Sequence, residues 1–315
     1  MTAAVTLSVA DKGDKGGTSP TGASPSASGV ANSDVASAND TGPVAVITED
    51  PSCAAQRPIL ATLTDEAKKG WNSRDIAIPA TAWTPETRAM YTTYTEALNR
   101  AADQVVPLAR LTPHRVMREL YEQFIAYSRS YVDSISNYTQ PDDYLARVSI
   151  AVSDAISYIC AAIDYGSAAS RAPLISEPAA PSAVPPVTDP AHPARFLLHA
   201  DPICADWSAA LSQFQSDTEA WRRTNPDIPA GQWTPEQRAI NDEVGPVMER
   251  FAGQLTAIGE RTENLILRDF ANLASQYRRA YVAALPTYLP ADKYLATASI
   301  RLVGVVQGAC QAVAD

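Results

Sequence analysis

The sequence predicts an all-α fold: two tandem, homologous four-helix up-down bundles, each stapled by one disulfide and together preceded by a disordered tether. Three observations carry that prediction. The chain repeats itself at an offset of 150 positions, its apolar residues step by three or four within each copy, and its four cysteines fall at matching places in the two copies. Such stepping puts one apolar stripe on an amphipathic helix, and no comparable run alternates with the period of a strand.

The repeat is dense. Trp71 matches Trp221, Trp83-Thr84-Pro85-Glu86 matches Trp233-Thr234-Pro235-Glu236, Tyr144-Leu145-Ala146 matches Tyr294-Leu295-Ala296, and Cys160 matches Cys310. The first cysteines, Cys53 and Cys204, need an offset of 151, so one residue is lost before Trp221. A unit of this length is a whole domain rather than a solenoid repeat.

In chain order, residues 1–10 read as the remnant of a signal sequence or membrane anchor. The apolar run after Met1 is far shorter than the roughly 20 residues a bilayer needs. Residues 11–45 are Ser, Ala, Gly, Pro and Asp with almost nothing large and apolar, and are expected to be a disordered tether. Helical repeat one occupies 46–165. Its helices are expected to start near Asp50, at Thr84, at Thr112 and near Pro141, with the first ending around Trp71. Residues 166–195 hold seven prolines and read as an extended, semi-rigid spacer. Repeat two, 196–315, is expected to start its helices near Asp201, at Thr234, at Thr262 and near Pro290, with a kink at Gly245-Pro246.

The duplicated Trp-Thr-Pro-Glu is a helix start. Thr84 and Thr234 are placed as N-caps, Pro85 and Pro235 stand where a missing N–H costs nothing, and Glu86 and Glu236 face the positive helix end. Gln237 completes a capping box that Thr87 does not, and Trp83 and Trp233 are placed to staple the entering chain.

Antiparallel packing of four helices brings the start of the first and the end of the fourth to one end of the bundle. The expected pairs are therefore Cys53–Cys160 and Cys204–Cys310, which places the protein in an oxidising, extracytoplasmic compartment. No two cysteines have metal-ligand spacing, and no metal site is expected.

The formal net charge of −10 is the opposite of a nucleic-acid-binding footprint. The three histidines, His114, His192 and His199, have no counterparts in the other copy. No zinc-hydrolase motif, nucleophile elbow, P-loop or dinucleotide fingerprint occurs, so no catalytic residue or cofactor is expected and the chain reads as a non-enzyme. Asp142 and Asp143 fall in the first turn of a helix, where negative charge favours the dipole. The recurrent Arg88, Arg238, Arg129 and Arg279 are placed either to pair with carboxylates of their own bundle, the commoner case, or to contact an anionic partner.

One constellation repeats with chemical content: Tyr127, Tyr131, Tyr138 and Tyr144, with Tyr277, Tyr281, Tyr288 and Tyr294. These are candidates for the wall of an aromatic ligand pocket. Read structurally instead, the first two of each set are core residues and the others pin a loop.

The short apolar start, the Ala/Ser/Pro/Gly-rich tether, the Ala-rich helices and one cysteine pair per copy resemble exported or membrane-anchored envelope proteins of actinobacteria, particularly of mycobacterial type. The resemblance implies an extracytoplasmic protein, secreted or held at the outer face of the cytoplasmic membrane by a segment upstream of this start. Its partner would be an envelope protein or cell-wall component, bound by tandem scaffolding domains that gain from bivalency. The alternative is a carrier of a small apolar ligand, lipid or haem, within the bundles.

Overall fold

In the computed structural model, residues 34–314 are described, and the signal or anchor remnant expected at 1–10 lies outside them. The described residues contain helices and turns and no strand. Repeat one is built from α1 (Ser52–Ala67), α2 (Pro85–Leu111), α3 (Arg115–Ser134) and α4 (Asp143–Asp164). A short α5 (Ser167–Arg171) follows. Repeat two contains α6 (Cys204–Asp217), the single turn α7 (Glu219–Arg222), α8 (Pro235–Gly259), α9 (Leu265–Ala284) and α10 (Lys293–Ala312).

Local chemistry sets the helix ends. Thr84 accepts from the Thr87 amide at 3.2 Å, and Thr234 with Gln237 closes a reciprocal capping box at 3.2 and 3.0 Å. The third helix of each repeat starts three residues later than the threonine that marks it. The Thr112 and Thr262 hydroxyls donate to Asp50 and Asp201 and accept from the amides of His114 and Asn264, which holds those residues in a turn. α1 stops at Ala67, before Gly70, whose φ of 122° suits glycine and ends the helix ahead of Trp71. The fourth helices start at Asp143 and Lys293, each after one 3-10 turn containing the proline, Pro141 or Pro290. α8 runs helical through Gly245-Pro246.

In each repeat consecutive long helices are neighbours, and Cys53 is bonded to Cys160 and Cys204 to Cys310. The two repeats are not held apart. α4 lies along α10, and α3 meets α9, so the fourth helices form the centre of one shared core. Gly308 makes that approach close: a Cβ there would stand 3.0 Å from Val148 Cγ2. The stretch Gln140–Asp164 is long and apolar enough to cross a bilayer, but Val148, Val152, Ala155, Ile156 and Ile159 are spent inside the protein.

Two expectations need correction. Residues 166–195 do not act as a spacer but as a strap. Arg171 in α5 grips Asp292 at 3.0 and 2.8 Å and Thr287 across the repeat boundary, while Arg110 reaches Asp189 at 3.2 Å and Arg129 the Ala191 carbonyl. Proline-rich chain lacks donors but keeps its carbonyls, and Arg129 of repeat one and Arg268 of repeat two donate to those of Ala191 and Ala183. The tether, in the part described from residue 34, is also docked. Val35 is buried, the Ala36 amide donates to Arg110 O at 2.9 Å, and Asp40 accepts from the Arg115 amide at 2.6 Å. The Asp40 side chain at the α3 N-terminus and the buried Val35 and Val44 order a segment whose composition reads as unstructured.

The segments leading into the two repeats are exchanged. Tyr127 in repeat one donates to Leu197 O at 3.5 Å, and its counterpart Tyr277 donates to Ile47 O, in the matching lead segment, at 3.3 Å. Phe196 wedges between the rings of Tyr127 and Phe270, at 5.9 and 5.5 Å between centroids. Each lead segment thus covers the other repeat.

Candidate functional site

Behind each Trp-Thr-Pro-Glu turn stands the same aromatic frame. Trp83 and Trp233 donate to Ile78 O and Ile228 O, both at 2.9 Å, and Arg88 and Arg238 donate to Ala80 O and Ala230 O at 2.8 and 3.0 Å. The Ala80 and Ala230 amides donate to Tyr138 O and Tyr288 O, both at 2.9 Å. The hydroxyls of those tyrosines donate to Ile76 O and Pro226 O. The same set of hydrogen bonds therefore fixes the frame in both repeats, and Arg88 and Arg238 serve it through carbonyls rather than carboxylates.

What fills the frame differs. In repeat one Tyr91 stacks on Trp83 at 3.9 Å, Tyr94 stacks on Trp71 at 3.9 Å, and the Arg74 guanidinium lies 3.4 Å over Trp71 and pairs with buried Asp143. The box is closed, with Trp71, Tyr91, Tyr131 and Tyr138 all 2% exposed or less. In repeat two the matching residues are Asn241 for Tyr91, Val244 for Tyr94, Thr224 for Arg74 and Lys293 for Asp143. The rings that covered the indoles are gone, and a cavity of about 250 Å³ opens. Trp221, Trp233, Tyr281 and Tyr288 wall it, Gln237 and Asn241 bring amides, and Lys293 stands at its edge. Burial pushes the Tyr281 phenol up to about 12 and raises Tyr288 further, so both are neutral hydroxyls. Lys293 is held protonated by Asp227, 2.7 Å from its Nζ.

Of the eight sequence candidates, the structure brings Tyr281 and Tyr288 to this cavity. Tyr131 and Tyr138 occupy the equivalent place in repeat one as core, and Tyr127 and Tyr277 serve the exchanged segments. Tyr144 lies under Arg147 at 5.3 Å, and Tyr294 stacks on Tyr165 at 4.9 Å. Asp143 is a buried ion-pair partner, whereas Asp142 accepts from the Thr139 amide. The residues that open the cavity, Asn241 and Thr224, were not read from the sequence. The signal that finds them is the set of mismatches in an otherwise close repeat.

A second polar cluster lies buried where α3 meets α9. Glu119 and Asp269 occupy equivalent positions in the repeats, and both are fully buried. Arg115 bonds Asp269 at 2.7 Å but stands 3.9 Å from Glu119, whose two oxygens have no hydrogen-bond partner. Burial first, then the neighbouring Asp269 charge, holds the Glu119 carboxyl well above the usual carboxylate range. Glu122 is also lifted, to about 7, because burial outweighs Arg118 at 3.4 Å.

Fold and site together define a class: a duplicated, disulfide-bonded helical protein in which one copy of an aromatic box is packed shut and the other holds a cavity. The chain belongs to the family of mycobacterial ESX-1 associated proteins, whose model matches residues 35–314. It is similar to an uncharacterised protein of Mycolicibacterium smegmatis (strain MKD8), 55% identical over the whole of this chain and 83% of that one. No solved structure matches it.

Proposed function

We propose that the protein acts outside the cytoplasmic membrane in mycobacterial type VII secretion, as a non-enzymatic binding protein of the cell envelope whose ligand-holding element is the aromatic cavity of repeat two. The observation that carries this reading is the asymmetry of the duplicated box: one copy retains the frame with its own filling, the other retains the frame without it. Preserving two indoles, two phenols and their hydrogen bonds around a space is the pattern of a binding site. The family supports the secretion context, and the two disulfides support an oxidising compartment. The unequal boxes and shared core favour one binding site per chain over two equivalent scaffolding domains. The cavity falls below the roughly 300–1,000 Å³ of drug-sized ligand sites, which favours a single ring over a haem.

Complementation tests this. A strain lacking the gene, restored with the wild-type chain or with Asn241→Tyr, is assayed for ESX-1 substrates in the culture filtrate. Restoration by the wild type alone supports the reading. Equal restoration by both removes the cavity from the function, and unchanged secretion in the deletion strain removes the secretion role.

A further inference from the structure

Repeat one shows what the cavity of repeat two is shaped to hold. The two frames are tied by the same hydrogen bonds between equivalent residues, so the group lying in the box of repeat one acts as a built-in ligand: a phenol ring flat on the indole of the capping tryptophan, Tyr91 on Trp83 at 3.9 Å with 16° between planes. Asn241 withdraws that ring from Trp233, and the half-buried Trp233 then faces the cavity. A cavity of about 150 Å³ admits a benzene, so about 250 Å³ takes one substituted ring and not two.

Charge selects among rings. In repeat one the far end of the box carries the Arg74–Asp143 pair. In repeat two the same positions are Thr224 and Lys293, and Arg222 also lines the space. The lining therefore holds two cations and no acid, Asp227 answering Lys293 from outside it. A quaternary ammonium, the usual guest of an aromatic cage, would meet like charge. A ring whose outer end carries a hydroxyl meets the Lys293 ammonium and the Tyr281 hydroxyl, with the Thr224 oxygen, whose proton goes to Trp221 O at 2.7 Å, left as an acceptor.

Building on the cavity as the ligand-holding element, the geometry points to a more specific assignment: the cavity of repeat two binds a single phenol ring, stacked on Trp233 in the manner of Tyr91 on Trp83, supplied either by a tyrosine side chain of a polypeptide or by a free small phenol.

The oxidised full-length protein is titrated with p-cresol, N-acetyl-tyrosinamide, tetramethylammonium and glucose, following tryptophan fluorescence and the indole N–H resonances. The expected result is saturable binding of the two phenols at one site, with the Trp233 resonance shifting. Tighter binding of N-acetyl-tyrosinamide assigns a polypeptide tyrosine as the source, and equal or weaker binding assigns a free phenol. Asn241→Tyr, which restores the missing ring, should weaken both roughly tenfold or more while keeping the helical spectrum and both disulfides. Val244→Tyr, which restores the ring that Tyr94 lays on Trp71 in repeat one, covers Trp221 and gives the same loss by a second route if Asn241→Tyr does not fold. Conversely, Tyr91→Asn should raise the number of phenol sites from one towards two. No saturable phenol binding, undiminished binding in the closed variants, or tighter binding of tetramethylammonium or glucose overturns the assignment. The last of these would leave the cavity a binding site and remove only the phenol, whereas the secretion assay fails or succeeds independently.

Discussion

Raising the pH from about 4.5 to about 8 should weaken this fold, against the common expectation for an acidic protein. The perturbation acts on Glu122 and Glu119 in α3, where Arg115 and Arg118, with Asp269 from α9, are the charged groups facing them, and Asp40 from the leading segment pairs with Arg115. Both carboxyls are raised by burial, Glu122 to about 7 against 4.5 for a free glutamate. Between those values the folded chain keeps a proton that the unfolded chain has released, and each pH unit then costs about 1.4 kcal/mol. The stabilisation is fully present below about 4.5 and lost as pH rises through about 7, on the order of 3 kcal/mol for Glu122 alone. Glu119 adds loss of the same sign. Groups shifted the other way, Glu86 and Asp189, lie at the surface and act below this window. The assay is denaturant unfolding of the oxidised protein across a pH series. A Glu122→Gln chain should show a shallower fall, because the amide keeps the shape and cannot titrate. Stability that is flat or rises across the window, or an unchanged slope in Glu122→Gln, refutes the reasoning.

Three further outcomes are expected. Replacing Cys53 and Cys160 together by serine opens a loop with a sequence separation of 107 residues and should cost about 4 to 5 kcal/mol in the entropic model, read as a lower denaturation midpoint. Gly308→Val drives a branched side chain into Val148 across the α4–α10 contact and should destabilise by about 1–3 kcal/mol; a neutral result would mean the repeats do not pack through this seam. Thr234→Ala removes the cap accepted from Gln237 and should cost about 1 kcal/mol by thermal melting.

Much of the local structure was legible because its causes are local. The caps at Thr84 and Thr234 need only the next three residues, and the amphipathic stripes need only helical spacing. Even the split of the tyrosines was half visible, since helix periodicity turns Tyr127, Tyr131, Tyr277 and Tyr281 inward. The docked segment 34–45 reads as a disordered tether and residues 166–195 as an extended, semi-rigid spacer because composition records apolar and proline content, whereas Asp40 and the linker carbonyls are held by arginines distant in sequence.

The sequence by itself determined the helices, the duplication and the positions of the cysteines, since each follows from spacing along one chain. Only the tertiary structure decided that α4 and α10 fuse the repeats into one core, that Glu119 and Asp269 meet in the dark between α3 and α9, and that one aromatic box is filled and the other open. The physical reason is that a cavity or a buried charge depends on what occupies the far side of a contact. The substitution of Asn241 for Tyr91 is a single letter until Trp233 is seen standing uncovered beside it.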